Sequence, residues 1–151
     1  MKNRILRLGK ELGKSTPAET SKQIQELTKL WLEAFQLAVN QEDYTLGKRL
    51  FSPTVYSFGT IAFLANDLEE LVTNQWEKRW PQNATFSFDI DTGKMIVTPP
   101  HVICALTWVA KSHDGTIRNG RATVVLQGQR IDDGPVELRC CHSHFSGNPK
   151  P

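Results

Sequence analysis

Val102-Ile103-Cys104-Ala105-Leu106-Thr107-Trp108-Val109-Ala110-Lys111-Ser112 is apolar on both faces that an extended chain presents. Successive side chains alternate in a strand, so Val102, Cys104, Leu106, Trp108 and Ala110 share one face. Ile103, Ala105 and Val109 share the other. His113-Asp114-Gly115 is a hairpin turn signal, and Ile117 to Gln129 reads as the antiparallel partner strand. Asp132-Asp133-Gly134-Pro135 turns the chain again, and Val136 to Phe145 reads as the last strand. A sheet wetted on one face alternates apolar with polar residues. This one does not, so both faces need cover. Helices are expected on one face and a second copy of the chain on the other, which makes a homodimer the expected state.

Working back from that stretch, Thr85 to Ile90 and Lys94 to Thr98 also read as strands, broken at Asp91-Thr92-Gly93. Further upstream the apolar period changes from 2 to 3.6. Thr16-Pro17-Ala18-Glu19 forms a capping box with proline at the first helical position. Ile24, Leu27, Trp31, Ala34 and Ala38 follow as a helical stripe, widened by Leu30 and Leu37. Asp43 caps a second, short helix from Tyr44 to Leu50, which Pro53 stops. Thr54 to Thr60 reads as a strand. Asn66 or Asp67 caps a third helix, with Glu69 and Glu70 in its first turn where the helix dipole favours them. Leu68, Leu71, Val72, Gln75 and Trp76 share one side of it, and Trp80-Pro81 closes it. Helices first and a meander after define an α+β class: three N-terminal helices packed on a mainly antiparallel sheet.

The chain has 151 residues, 39% hydrophobic and 23% charged, which fits one globular domain with a real core. A formal net charge of +2 does not call for nucleic acid as a partner. No apolar run is long enough for a membrane span, and no secretory core is visible at the N-terminus, so a cytoplasmic location is expected. Adjacent Cys140 and Cys141 point to opposite faces of a strand, which makes them poor disulfide partners; with Cys104 they read as reduced thiols. Residues 1–16 are a basic arm, with Lys2, Arg4, Arg7, Lys10 and Lys14 against Glu11 alone. Ile5, Leu6, Leu8 and Leu12 give it one apolar side. It reads either as a weak docking or membrane-surface helix or as a plain extension. The domain itself is expected over residues 17–151.

Three local strings carry a resemblance. Asn40-Gln41-Glu42-Asp43-Tyr44-Thr45, Pro100-His101-Val102 and above all His142-Ser143-His144-Phe145-Ser146-Gly147-Asn148-Pro149 resemble the association (hub) domain of calcium/calmodulin-dependent protein kinase II. Gly120-Arg121-Ala122-Thr123-Val124-Val125-Leu126 is similar to the penultimate strand of SnoaL-like proteins. Both lie within the nuclear transport factor 2-like superfamily, and the resemblance covers about residues 20 to 149. It implies a cone: a curved sheet whose mouth is closed by helices around a pocket. It also implies a sheet-to-sheet homodimer that builds larger rings. Only sixteen residues precede the domain, so no kinase domain is expected ahead of it on this chain.

Carried over by position, the hub pocket's long-strand arginine falls on Trp108 and its penultimate-strand arginine near Thr123. Arg121 lies two residues away on the same face. The arginine after the closing histidine pair falls on Phe145, the pocket histidine near Glu69, and the pocket tyrosine on Tyr44. The resemblance thus implies a pocket of Trp108, Arg121, Thr123, Phe145 and Tyr44. Phe58 and Trp76 join it as further aromatics, for a small hydrophobic or carboxylate ligand. Arg121 is either its polar anchor or a structural arginine at the sheet edge. His142 and His144 share one strand face and read as interface residues; no third residue has metal-ligand spacing, and no metal is expected.

Two further functions stand beside a binding module. One is a cofactor-free isomerase, cyclase or hydratase, which needs a base and a proton donor in the pocket. Glu69 or Asp89 would be the base, and Tyr44 or Tyr56 the donor. The other is a purely structural subunit. No glycine-rich phosphate loop or nucleophile motif is present, and no cofactor is expected.

Overall fold

In a computed structural model the described residues are 17–130 and 136–148. The basic arm, the turn at residues 131–135 and the last residues from 149 lie outside them. Helix α1 spans Pro17–Gln41 and buries Leu27, Leu30, Trp31, Ala34 and Ala38, as the spacing predicts. Leu32, Phe35 and Val39 are buried too, so the covered stripe is wider. Leu37, about 200° round the helix from Phe35, is 38% exposed. Helix α2, Tyr44–Arg49, starts at Asp43, whose carboxylate accepts from the Leu46 N–H at 3.0 Å.

Strand β1 then runs over Phe51–Phe58, earlier than Thr54 because Phe51 is buried and pairs with Cys140. Pro53 lies where the β1–β6 register is interrupted, on an edge strand that needs no ladder donor from it. Only after β1 comes the third helical stretch: α3 Leu68–Leu71, a π-turn Val72–Trp76, α4 Glu77–Arg79 and a 3-10 turn Trp80–Gln82. The expectation of three N-terminal helices is corrected accordingly. Among the described residues two helices precede the first strand, and the third is a chain of short turns beyond it. Five more strands complete the chain: β2 Asn83–Phe88, β3 Lys94–Thr98, β4 His101–Ser112, β5 Ile117–Arg130 and β6 Val136–Gly147.

The strand order is β1-β6-β5-β4-β2, with β3 on the same edge of β4 as β2. All pairings are antiparallel except β1 with β6, which makes a curved mixed sheet. Polar side chains of α1 complete the free edge of β2. The Asn40 amide accepts from the Phe86 N–H at 2.7 Å and donates to its carbonyl at 3.0 Å, and Gln36 accepts from Phe88 N–H at 2.6 Å. On β4 the inward set is Val102, Cys104, Leu106, Trp108 and Ala110, all buried, while Ala105, Thr107 and Val109 are exposed.

A register shift in β5–β6 places Leu126 opposite Cys140 and Val125 opposite His142. Cys140 and Ser143 therefore both face inward across the shift. Ser143 meets Ser57 hydroxyl to hydroxyl at 2.8 Å, fully buried. All three thiols are free. Burial raises the Cys104 thiol to about 11 and pushes Cys140 upward as well, so both stay protonated and inert at neutral pH. Among the described residues no helix is long and apolar enough to cross a membrane.

Candidate ligand pocket

One end of the core is aromatic. Phe35 stacks on Trp31 at 5.6 Å and meets Trp76, Trp80 and Phe86 edge-on at 5.9 to 6.1 Å. Trp76 and Trp80 stack on each other at 4.5 Å, and Tyr44 covers the far side of Trp80 at 5.1 Å. A cavity of about 60 Å³ remains beside this cluster, walled by Phe35, Phe58, Trp76, Trp80, Trp108 and Phe145. That is room for a few waters. It shares Phe58, Arg79, Trp108, Arg118 and Phe145 with an outer vestibule of about 810 Å³, which Phe63, Ile117, His144, Asn119 and Asn148 also line. The vestibule has the size of a small-molecule site.

The composite stretch after β1 shapes the mouth. The π-turn inserts an extra residue into the helical path, a feature frequent at functional sites. Gln75 lies within this turn and ties down the loop after β1. Its carbonyl oxygen accepts from the Ile61 and Ala62 N–H groups, both at 2.8 Å, and its amide donates to the Thr60 hydroxyl at 2.9 Å.

Two arginines stand at the mouth. Arg79, from the end of α4, donates to the Gln82 carbonyl oxygen at 3.0 Å. Arg118, near the start of β5, donates to the buried Asn83 carbonyl oxygen. The Nε of each is buried and has no hydrogen-bond partner. Among the described residues no carboxylate comes within ion-pair distance of either, and none lines the cavity or the vestibule. Burial lowers the pKa of both guanidiniums, and Arg118 lowers that of Arg79 further; arginine nonetheless stays charged.

Of the residues picked from the sequence, Trp108, Phe58, Phe145 and Trp76 meet on this wall. Tyr44 sits behind Trp80, half-buried, with its hydroxyl pKa raised by burial and by Glu42 and Glu77. Arg121 and Thr123 lie on the other face of β5; Arg121 is exposed, and its carbonyl accepts from the Trp108 indole N–H at 3.2 Å. Glu69 is exposed in a separate groove with Lys48 and Asp67. Asp89 is exposed and closes a turn by accepting from Thr92 N–H at 3.4 Å. Tyr56 is 43% exposed on the outer sheet face. There His142 Nδ1 is 2.6 Å from the Tyr56 carbonyl oxygen, and the His142 and His144 rings pack edge-on against Phe58. Among the described residues no three potential metal ligands gather.

Sequence reasoning passed over Arg79 and Arg118. A signal existed for Arg118: it shares parity with Gly120, Ala122, Val124 and Leu126, which are the buried set of β5.

No protein-family model matches the sequence, and no curated protein matches it. Solved structures do. A nuclear transport factor 2-like superfamily protein from Salmonella enterica serovar Typhimurium is 19% identical, with 86% of this chain and 94% of that one covered at a TM-score of 0.68. The CaMKII hub from S. rosetta is 17% identical, with 82% and 95% covered at 0.63. A candidate ketosteroid isomerase from Shewanella frigidimarina is 14% identical, with 80% and 94% covered at 0.63. The chain therefore has the nuclear transport factor 2-like fold. At these identities the likeness shows the fold alone, and hubs and enzyme candidates share it.

Proposed function

We propose that residues 17–151 form a homo-oligomeric association module that binds a small molecule in its aromatic pocket. The observation that carries this reading is the makeup of the wall: eight aromatic side chains, a mouth with two arginines and, among the described residues, no carboxylate. A proton-abstracting isomerase needs a base within reach of bound substrate. Glu69, Asp89 and Tyr56 lie on exposed positions away from the cavity, which weighs against that reading. Binding requires only complementary surface, and the vestibule supplies it.

Neutral aromatic probes test the pocket. Benzamide at millimolar concentration is expected to raise the melting temperature of the full chain by a few degrees and to change tryptophan emission, since Trp76, Trp80 and Trp108 wall the cavity. A flat response in both readouts would count against a ligand pocket.

Assembly is proposed through the outer sheet face. Ile96, Val109, Ala105, Thr107 and Tyr56 are exposed there, beside the charged Lys94, Lys111 and Arg121 and the Arg139–Glu137 pair. The exposed Ile96, Val109 and Tyr56 side chains favour a second copy over water. Light scattering at micromolar concentration is expected to give at least twice the chain mass of 17.1 kDa. A mass of one chain would remove the dimer.

A further inference from the structure

We propose that Arg79 and Arg118 form a seat for an organic oxyanion, whose apolar body lies in the vestibule against Phe63, Ile117 and Phe145. The proposal rests on the pocket reading above and names its ligand class.

Three independent observations lead to it. The first is uncompensated charge. Both guanidiniums line the same cavity and the same vestibule, the charge of Arg118 disfavours that of Arg79, and no carboxylate lines either space among the described residues. Two like charges drawn partly out of water are unfavourable unless an anion joins them. The second is the way they are held. Consecutive residues, Gln82 and Asn83, each fix one arginine through a neutral amide oxygen. An amide orients the guanidinium without neutralising it. The Nε–H of each stays unpartnered and buried, and such a group leaves the guanidinium fork incomplete. The third is the apolar rim. Phe63 is 87% and Ile117 64% exposed, the two most exposed large apolar side chains among the described residues, and both line the vestibule. An aromatic or branched aliphatic body would cover them while its oxyanion met the arginines.

The positions are this chain's own. Those that the hub resemblance carried over are occupied by Trp108, Thr123 and Phe145, whereas Arg79 comes from the composite helical stretch and Arg118 from the start of β5. The remaining polar groups at the vestibule add no negative charge. The Asn148 side-chain amide donates to the Asn119 side-chain oxygen Oδ1 at 2.8 Å, and Ser146, Thr60 and His144 also line the vestibule.

The test is a titration of the full chain with benzoate, phenyl phosphate, inorganic phosphate and benzamide, read by tryptophan emission and melting temperature. Benzoate or phenyl phosphate is expected to bind at least about tenfold more tightly than neutral benzamide, and to weaken as salt rises. Whichever of the two binds better identifies the oxyanion. Arg79→Gln and Arg118→Gln are each expected to lose that preference. Asn83→Asp keeps both arginines but gives Arg118 an internal carboxylate, so it should stay folded and lose the preference too. Equal binding of benzoate and benzamide, unchanged in the variants, would overturn the seat and leave the pocket standing. Inorganic phosphate binding as tightly as phenyl phosphate would overturn the role of Phe63 and Ile117. No response to any probe would overturn the pocket together with the seat.

Discussion

Replacing Phe35 with alanine lowers the unfolding free energy by about 3–5 kcal/mol, the range for deleting a fully packed aromatic side chain. The expectation follows from where the ring sits. Phe35 is 4% exposed and lies within about 6 Å of seven other aromatic rings, from α1, β1, the helical stretch, β2 and β6. Among the described residues no other ring packs against so many aromatic partners. Because these rings are held by separate elements, they cannot all move in to fill the void, so the cavity penalty adds to the lost burial. The void also adjoins the 60 Å³ cavity and enlarges it. Apolar cavities in proteins take up apolar guests, so a benzene-sized additive is expected to restore part of the lost stability. Urea unfolding with and without the additive measures both effects. A loss below about 1 kcal/mol would mean that the cluster collapses freely, and that the pocket is not held open by its frame.

The parts of the fold that the sequence disclosed are those governed by local period. Helix α1 follows from a stripe at helical spacing, β4 from its alternating faces, and the turn at His113 to Gly115 from residues suited to it; Gly115 has φ of 89°, which glycine adopts freely. The features that stayed hidden depend on pairings across the chain. The parallel partnership of β1 with β6 joins Tyr56 to His142, and no local pattern announces it. The π-turn was invisible for a related reason. Leu71, Val72 and Trp76 keep apolar spacing whether the turn between them is wound as an α-helix or loosened by one residue.

The candidate site divides along the same line. Trp108, Phe145 and Trp76 were legible, because aromatic residues on inward positions have few other places to go, whereas Phe58 shares the parity of exposed Tyr56 and reaches the wall from the half-buried end of β1. The arginines were not. β5 carries apolar residues on both faces, with Ala122, Val124 and Leu126 on one and Ile117 and Val125 on the other, so parity alone does not say which face meets the pocket. Arg121 and Thr123 lie on the opposite face of the strand from Arg118. Burial decides it: Gly120, Ala122, Val124 and Leu126 are inside.

Gly120 holds the second large effect. It pairs with Trp108 across β4 and with Gly147 across β6, at the wall where the cavity begins. A β-carbon there would run into the Ser146 carbonyl oxygen and would come within 2.7 Å of the Trp108 ring. The backbone contact cannot be relieved by a rotamer change; β5 and β6 would have to separate. Gly120→Ala is therefore expected to destabilise by about 3 kcal/mol or more, at the upper end for overpacking. It also acts on the pocket. Trp108 must swing away, which breaks its indole hydrogen bond to the Arg121 carbonyl and turns the ring toward the space beside Phe145 and Arg118. Its emission should shift with the loss of that bond, and benzamide should bind at least about tenfold more weakly in whatever fraction stays folded. Should Gly120→Ala unfold at the wild-type urea midpoint with unchanged emission, the strands would be looser here than their pairing implies. The wall that shapes the proposed pocket would then have to be sought elsewhere on β4.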